Sequence, residues 1–274
     1  MPLASFPYRL AAVDLDDTLL GPDKRISAEN AGALRQLTDR GVRIVLASGR
    51  RHENIIRFHE QLGLQGLILS CHGALVKDAE TGEALHRHYV PAEIAAELVR
   101  GADTAGLSAV YYGDGGTYAS RRNEFTALYE QRTETVLSDV ADLREFDGVM
   151  PQKVLWVGEA TRLSAIQPAL AARYAGRLEA MVTDPEYLEF MAHGANKANG
   201  LAVAAAHYGI EPSQVLAFGD GTNDVAMLRW AGCGVAMDCG RESAKAAANW
   251  VSAPGSPETS LARAIAEVLR RSEP

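Results

Sequence analysis

Three carboxylates follow directly on an apolar run near the start of the chain. Leu10-Ala11-Ala12-Val13 leads into Asp14-Leu15-Asp16-Asp17-Thr18. Such a run reads as a buried strand, and open α/β sheets place their ligands at the carboxyl ends of strands. Side chains alternate along a strand, so Asp14 and Asp16 start on one side while Leu15 points away. Two acids held that close repel each other unless a cation or a shared proton intervenes. The pair therefore points to a bound hard metal such as Mg²⁺, or to an acid kept protonated as a proton donor. The plain alternative is an acidic turn that caps the next helix.

Three further segments carry groups of the same chemistry. Val215-Leu216-Ala217-Phe218 reads as a strand and runs into Gly219-Asp220-Gly221-Thr222-Asn223-Asp224. Two carboxylates and an amide around two glycines suit Mg²⁺, which takes oxygen ligands and keeps several waters; a solvated Asx turn is the alternative. Ser48-Gly49-Arg50 offers a hydroxyl, a glycine that admits close backbone approach, and N–H groups for an anion. By itself it also reads as a helix cap. Lys197 is a lone lysine in His193-Gly194-Ala195-Asn196-Lys197-Ala198, where the default is a surface lysine. Taken together, a carboxylate nucleophile, a second acid, a hydroxyl, a lysine and an acid pair are the parts of a phosphoryl-transfer site.

Those groups need a sheet to hold them. Ser27 can cap a helix running to about Arg40, and Gly41 stops it. Val42 to Ala47 and Leu67-Ile68-Leu69 read as further strands, with a helix from about Asn54 to Leu62 between them. Strand, helix, strand, helix, strand predicts a parallel sheet with right-handed crossovers. The rhythm then changes to hairpins mixed with helices, around Asp78 to Glu83, Gly113-Asp114-Gly115-Gly116, and Leu178 to Met191. That pattern is α+β. The parallel style returns from Asn199. The expected fold class is α/β, a Rossmann-like parallel-sheet core domain over residues 1–82 and 189–274. An inserted α+β domain occupies residues 83–188.

Composition sets the outer bounds. The chain has 274 residues, 47% hydrophobic and 23% charged, with a formal net charge of -8. It is long enough for one large or two modest domains. The acidic balance argues against a nucleic-acid partner, since phosphates are met by a basic face. It leaves room for an anionic substrate, because a few local cations or a metal reverse the sign in one cleft. There is no apolar run long enough for a transmembrane helix, and Met1 to Tyr8 lacks the pattern of a secretory signal. Cys71, Cys233 and Cys239 form no CxxC pair, which suits reduced thiols in a cytoplasmic protein. His86 and His88 alternate on a strand, but no third ligand lies nearby.

The four chemical segments, in this order and with an insertion between the second and third, resemble the haloacid-dehalogenase-like (HAD) superfamily, within it the Cof-like, type IIB phosphatases. Asp14 to Thr18 looks like the first motif of that family, Ser48-Gly49-Arg50 the second, and Lys197 the third. Gly219-Asp220 through Asn223-Asp224 looks like the fourth. The resemblance implies that Asp14 is a nucleophile forming an aspartyl-phosphate. It implies that Asp16 is the acid and then the base. Ser48, Gly49 and Lys197 would hold phosphate, and Asn223 would orient phosphate or Lys197. Asp14, the carbonyl of Asp16, and Asp220 would bind Mg²⁺, with Asp224 direct or through water. The inserted domain would be a cap that reads the leaving group of a small phosphorylated metabolite, sugar phosphates first. A phosphomutase with the same acids, or a non-catalytic phosphometabolite-binding protein, are the alternatives. Two segments depart from the family pattern: Cys71-His72-Gly73-Ala74 and Met237-Asp238-Cys239-Gly240. His72 could touch substrate or bond within its loop. Arg50 could reach substrate or form a structural ion pair.

Overall fold

The computed structural model describes residues 6–138, 140 and 142–272. The chain begins with β1 (Leu10–Asp14), α1 (Ala28–Thr38), β2 (Arg43–Ala47), α2 (His52–Gln61) and β3 (Leu67–Ser70). It continues with β4 (Leu75–Asp78), β5 (Ala84–Arg87), α3 (Ala92–Thr104), β6 (Ser108–Gly113), β7 (Gly116–Ala119), α4 (Glu124–Thr133) and β8 (Leu137–Ser138). Then come β9 (Lys153–Val157), α5 (Ala160–Arg173), β10 (Leu178–Asp184), β11 (Tyr187–Ala192) and α6 (Lys197–His207). The last elements are β12 (Val215–Gly219), α7 (Val225–Trp230), β13 (Cys233–Ala236), α8 (Glu242–Ala247), β14 (Trp250–Val251) and α9 (Ser260–Ser272).

Among the described residues, eight strands form one sheet in the order β14-β13-β12-β1-β2-β3-β4-β5. Pairing is parallel from β14 through β3, and β4 turns back antiparallel on β3. Every residue of β1 is buried, as expected of a strand covered on both faces. Its alternation divides the core in two. Ala11 and Val13 join a cluster with Leu34 and Leu37 of α1 and Leu261 and Ile265 of α9. Leu10 and Ala12 join the opposite cluster, with Leu201 and Ala204 of α6 and Met227 of α7. Asp14 continues the phase of Leu10 and Ala12, toward the face on which α6 lies.

The chain divides into two compact units. One runs to His86 and resumes at Asn196; the other is Arg87–Ala195. These divisions differ from the expected boundaries of 82/83 and 188/189. The turn after Asp78 carries β5 onto the larger sheet. The whole of β11 is committed to the smaller one, paired to β10 and β9. Hairpin pairing, which sequence spacing does not reveal, moves both boundaries.

The second unit has the sheet order β10-β11-β9-β6-β7-β8. One face packs Ala109, Tyr111, Val154, Trp156, Leu188 and Phe190 against α3 and α5 residues such as Leu98 and Leu163. α4 gives no signal in the sequence because it buries only Thr126 and Tyr129, too few for an apolar stripe. A reciprocal cap between Asn123 and Thr126 starts it.

On the sheet, buried Lys153 donates to Glu189 at 2.8 Å, and Thr183 donates to the other Glu189 oxygen at 3.0 Å. Removing one partner of a buried pair strands the other charge. Lys153→Met is therefore expected to lower stability by about 3–5 kcal/mol. A Lys153→Met/Glu189→Leu double variant should recover most of that loss. Urea unfolding of the three proteins checks it.

Candidate active site

β1 and β12 lie side by side, Val13 opposite Phe218, and both end at the same edge of the sheet. On the other side of β1, Asp14 stands opposite Ala47, so Ser48 follows immediately beside it. The chain leaves β1 in one direction through β2 and β3, and returns on the opposite side as β12 and β13. Parallel sheets open a ligand crevice at such a switch point.

Asp14, Asp220 and Asp224 present carboxylate oxygens within 4.8 Å of one another. Lys197, fully buried as the first residue of α6, donates to Asp14 Oδ1 and, at 2.6 Å, to Asp224 Oδ1. Asp224 Oδ2 accepts the backbone amides of Asp220 and Gly221 at 3.0 and 2.8 Å. Asp224 thus spends both oxygens on the fold. Gly219 makes this possible, since a Cβ there would lie 2.5 Å from Asp224 Cγ. Buried Thr18 donates to Asp220 Oδ1 at 2.9 Å and ties the first acidic segment to the last.

Three carboxylates around one ammonium carry an excess of negative charge. Burial pushes the Asp14 carboxyl well up from its ordinary range, and Asp224 and Asp220 add to this more than Lys197 relieves it. Burial and Asp224 push Asp220 up to about 7, against the Thr18 hydrogen bond. Lys197 is raised: burial opposes its charge, but Asp14 and Asp224 outweigh it. Oxygen donors with uncompensated negative charge are what a hard divalent cation requires. The donor set therefore fits Mg²⁺.

A testable pH dependence follows. The Asp220 pKa is raised in the fold, so folding holds extra protons between about pH 4 and 7 and stability falls as pH rises through that window. A bound divalent cation needs the deprotonated acids and compensates their charge. In chelator, the melting temperature is expected to fall by roughly 5 °C between about pH 5.5 and pH 8. Millimolar Mg²⁺ should remove most of that fall and stabilise more at the higher pH. Melting curves with and without chelator check it.

Asp16 stands apart from this group. Strand alternation places it on the Asp14 side, but β1 ends at Asp14 and the alternation stops there. The backbone turns through Asp17 at a φ of 60°. The Asp16 carboxylate meets Arg50 Nε at 2.8 Å, Arg50 Nη2 at 2.7 Å and Lys24 Nζ at 3.1 Å. Burial would raise its pKa, but the Arg50 hydrogen bonds and charge, with Lys24, hold it below the ordinary carboxylate value. Arg50 thus forms an ion pair with the second acid of the motif.

The remaining predicted residues form a chain beside the acids. Ser48 is buried; its Oγ accepts the Arg50 amide at 3.1 Å, which leaves its own proton to donate. The Ser48 carbonyl accepts the His72 amide at 2.9 Å. The His72 ring lies against Gly49, where a Cβ would sit 2.4 Å from Cε1. Asn223 Nδ2 meets His72 Nδ1 at 3.2 Å. Lys197 donates to Asp14 and Asp224, and Asn223 lies at the other end of this chain, against His72. His72 does more than bond within its loop, because it joins the second and fourth segments. Thr18 and Lys24 were not among the predicted site residues. Thr18 had a signal in its place at the end of the acidic run; Lys24 had none.

A family model described as haloacid dehalogenase-like hydrolase matches residues 11–265. The chain is 32% identical over 234 residues to an HMP-PP phosphatase of Serratia proteamaculans (strain 568), covering 84% of each. It is 29% identical to a haloacid dehalogenase-like hydrolase from Bacteroides thetaiotaomicron, with a TM-score of 0.86 over 95% of this chain and 99% of that one. A HAD subclass IIB sugar phosphatase shares the fold, with a TM-score of 0.82 at 23% identity over 94% of this chain and 98% of that one.

Proposed function

Because the chain belongs to the haloacid dehalogenase-like hydrolases, we propose that it is a Mg²⁺-dependent phosphatase of small phosphorylated metabolites working through an aspartyl-phosphate. The observation that carries this reading is the buried group of Asp14, Asp220 and Asp224 around Lys197. Asp14 attacks phosphorus, and the bond to the leaving oxygen breaks. Asp16 gives that oxygen a proton, then takes one from the water that attacks the acyl phosphate and releases Asp14. Lys197 balances charge beside the nucleophile. The Ser48 hydroxyl, the backbone at Gly49 and Asn223 hold phosphate oxygens. Asp14, Asp220 and the Asp16 carbonyl are the groups to hold Mg²⁺, with Asp224 supporting them. When bound, the ion supplies the positive charge that lets an anionic nucleophile approach an anionic phosphate.

These residues address the phosphoryl group and leave the rest of the substrate unread. Selection of the leaving group is assigned to the second unit, acting as a cap. Sugar phosphates are the first candidates, and HMP-PP belongs beside them because a relative is named for it. Among the described residues no helix is long and apolar enough to cross a membrane.

The test is phosphate release from a panel of phosphorylated metabolites, with Mg²⁺ and with chelator. A substrate turned over with kcat/KM above about 10⁴ M⁻¹s⁻¹ only in Mg²⁺ names the function. Isomerised product without free phosphate would instead indicate a mutase. Tight binding without turnover would indicate a binding protein.

A further inference from the structure

The turn after β3 is strained and held on three sides. Cys71 and His72 have φ values of 48° and 57°, both in the left-handed region that residues with a side chain avoid. Backbone bonds tie the turn to the second chemical segment. The Cys71 amide donates to the Arg50 carbonyl at 2.9 Å and the His72 amide to the Ser48 carbonyl at 2.9 Å. Gly73 lies against the start of α6, where a Cβ would collide with the Asn196 carbonyl oxygen. The His72 ring meets Asn223 of the fourth segment. One turn therefore abuts the second, third and fourth segments.

The two ends of the Asn223 amide are not equivalent toward an anion. Its nitrogen carries two N–H donors and its oxygen only accepts. A phosphate oxygen is held by the nitrogen end and repelled by the oxygen end. The last torsion of asparagine is broad and roughly two-fold, so the side chain does not choose between them by itself. His72 Nδ1 accepts from Asn223 Nδ2 at 3.2 Å, which uses one N–H and leaves the other for a ligand. The ring is kept in place, since it is buried and runs along Gly49, where a Cβ would sit 2.5 Å from Nε2. Gly221 makes room for the opposite end of the amide, because a Cβ there would collide with Asn223 Oδ1.

We infer that His72 is a positioning residue: it fixes the Asn223 amide so that an N–H, and not the carbonyl, meets the phosphate. This rests on the reading of the chain as a phosphatase in which Asn223 holds a phosphate oxygen. Without the ring nitrogen the amide populates both orientations, and the one with its oxygen forward opposes the anion. The left-handed backbone at His72 brings an acceptor to a place that a relaxed turn would leave empty. Strain of this kind persists where the surrounding structure over-determines it, and here the Arg50 and Ser48 carbonyls do so.

Binding of inorganic phosphate reads this role without turnover. In Mg²⁺, titration calorimetry on the whole chain gives the reference affinity. His72→Ala is expected to weaken it about 10-fold, the scale of one hydrogen bond to a charged group. Asn223→Ala should lose a similar factor, and the double variant no more than about 3-fold beyond either, because the two side chains act as a unit. His72→Asn suits a left-handed backbone and offers an oxygen in place of Nδ1, so it should recover most of the loss. Should His72→Ala not fold, His72→Gly, which accepts a positive φ, takes its place in each comparison. Losses that multiply to about 100-fold in the double variant, or a His72→Asn protein as weak as His72→Ala, would overturn the inference. If Asn223→Ala is weakened and His72→Ala is not, only the role of His72 is lost. If Asn223→Ala binds phosphate like the wild type, Asn223 is no phosphate ligand and His72 falls with it. A wild type that binds no phosphate and releases none from the metabolite panel ends the phosphatase reading itself.

Discussion

Asp14→Asn is expected to abolish turnover and to raise the melting temperature in the same protein. An amide cannot attack phosphorus as a carboxylate does, and loss of a nucleophile costs kcat about 10⁴-fold or more. Stability moves in the opposite direction. Burial, with the charges of Asp224 and Asp220, holds the Asp14 pKa well above its unfolded value despite Lys197. A raised folded pKa means that the ionised group weakens the fold as pH rises past the unfolded value. Asparagine has the shape of the neutral acid, and its carbonyl still accepts from Lys197. In chelator the variant should melt with the wild type at about pH 4 and several degrees above it at about pH 8. Retained turnover would remove the covalent mechanism. A variant less stable at both pH values would show that the Asp14–Lys197 pair is net stabilising. A site strained by function in this way follows the general opposition between activity and stability.

The same contrast between local and distant causes explains what could be read from the sequence. The Asp14 and Asp220 positions are legible because each follows an apolar run, and a run of that kind in an α/β chain has only one place to end. The parallel core was legible from the alternation of strand and helix for the same reason. Asp16 lies beyond the last residue of β1, so strand alternation does not by itself fix the direction of its side chain. Lys197 looked like a surface residue because its partners lie 183 and 27 positions away. Only the sheet order, with β12 returning beside β1, brings them together. A lysine at the first turn of a helix also opposes the helix dipole, a local cost that hints at a distant charge. Lys24 left no trace, since neither its turn nor its partner is encoded by a pattern. In the second unit, α4 is held by a reciprocal cap and two buried residues, so no apolar periodicity announces it.

Lys197→Met is the second large effect. The variant keeps the length and apolar character of the stem and removes the only buried ammonium beside three carboxylates among the described residues. Breaking a buried ion pair by removing one partner costs about 3–5 kcal/mol. Here the cost depends on pH in a defined direction. Lys197 lowers the Asp14 pKa by its charge and its hydrogen bond, so without it the carboxyls hold their protons to higher pH. Protonation offsets the lost cation at about pH 5, and the deficit grows as pH rises. Melting in chelator at about pH 5 and pH 8 should therefore show a small loss and a large one. Mg²⁺ should return part of the loss at pH 8, because it supplies charge to the same acids. Turnover should fall about 10²–10³-fold even when Mg²⁺ restores the fold, since a fixed charge beside the nucleophile is gone. If the variant melts like the wild type at pH 8, the carboxylates are already neutral there. The excess negative charge on which the metal assignment rests would then be absent.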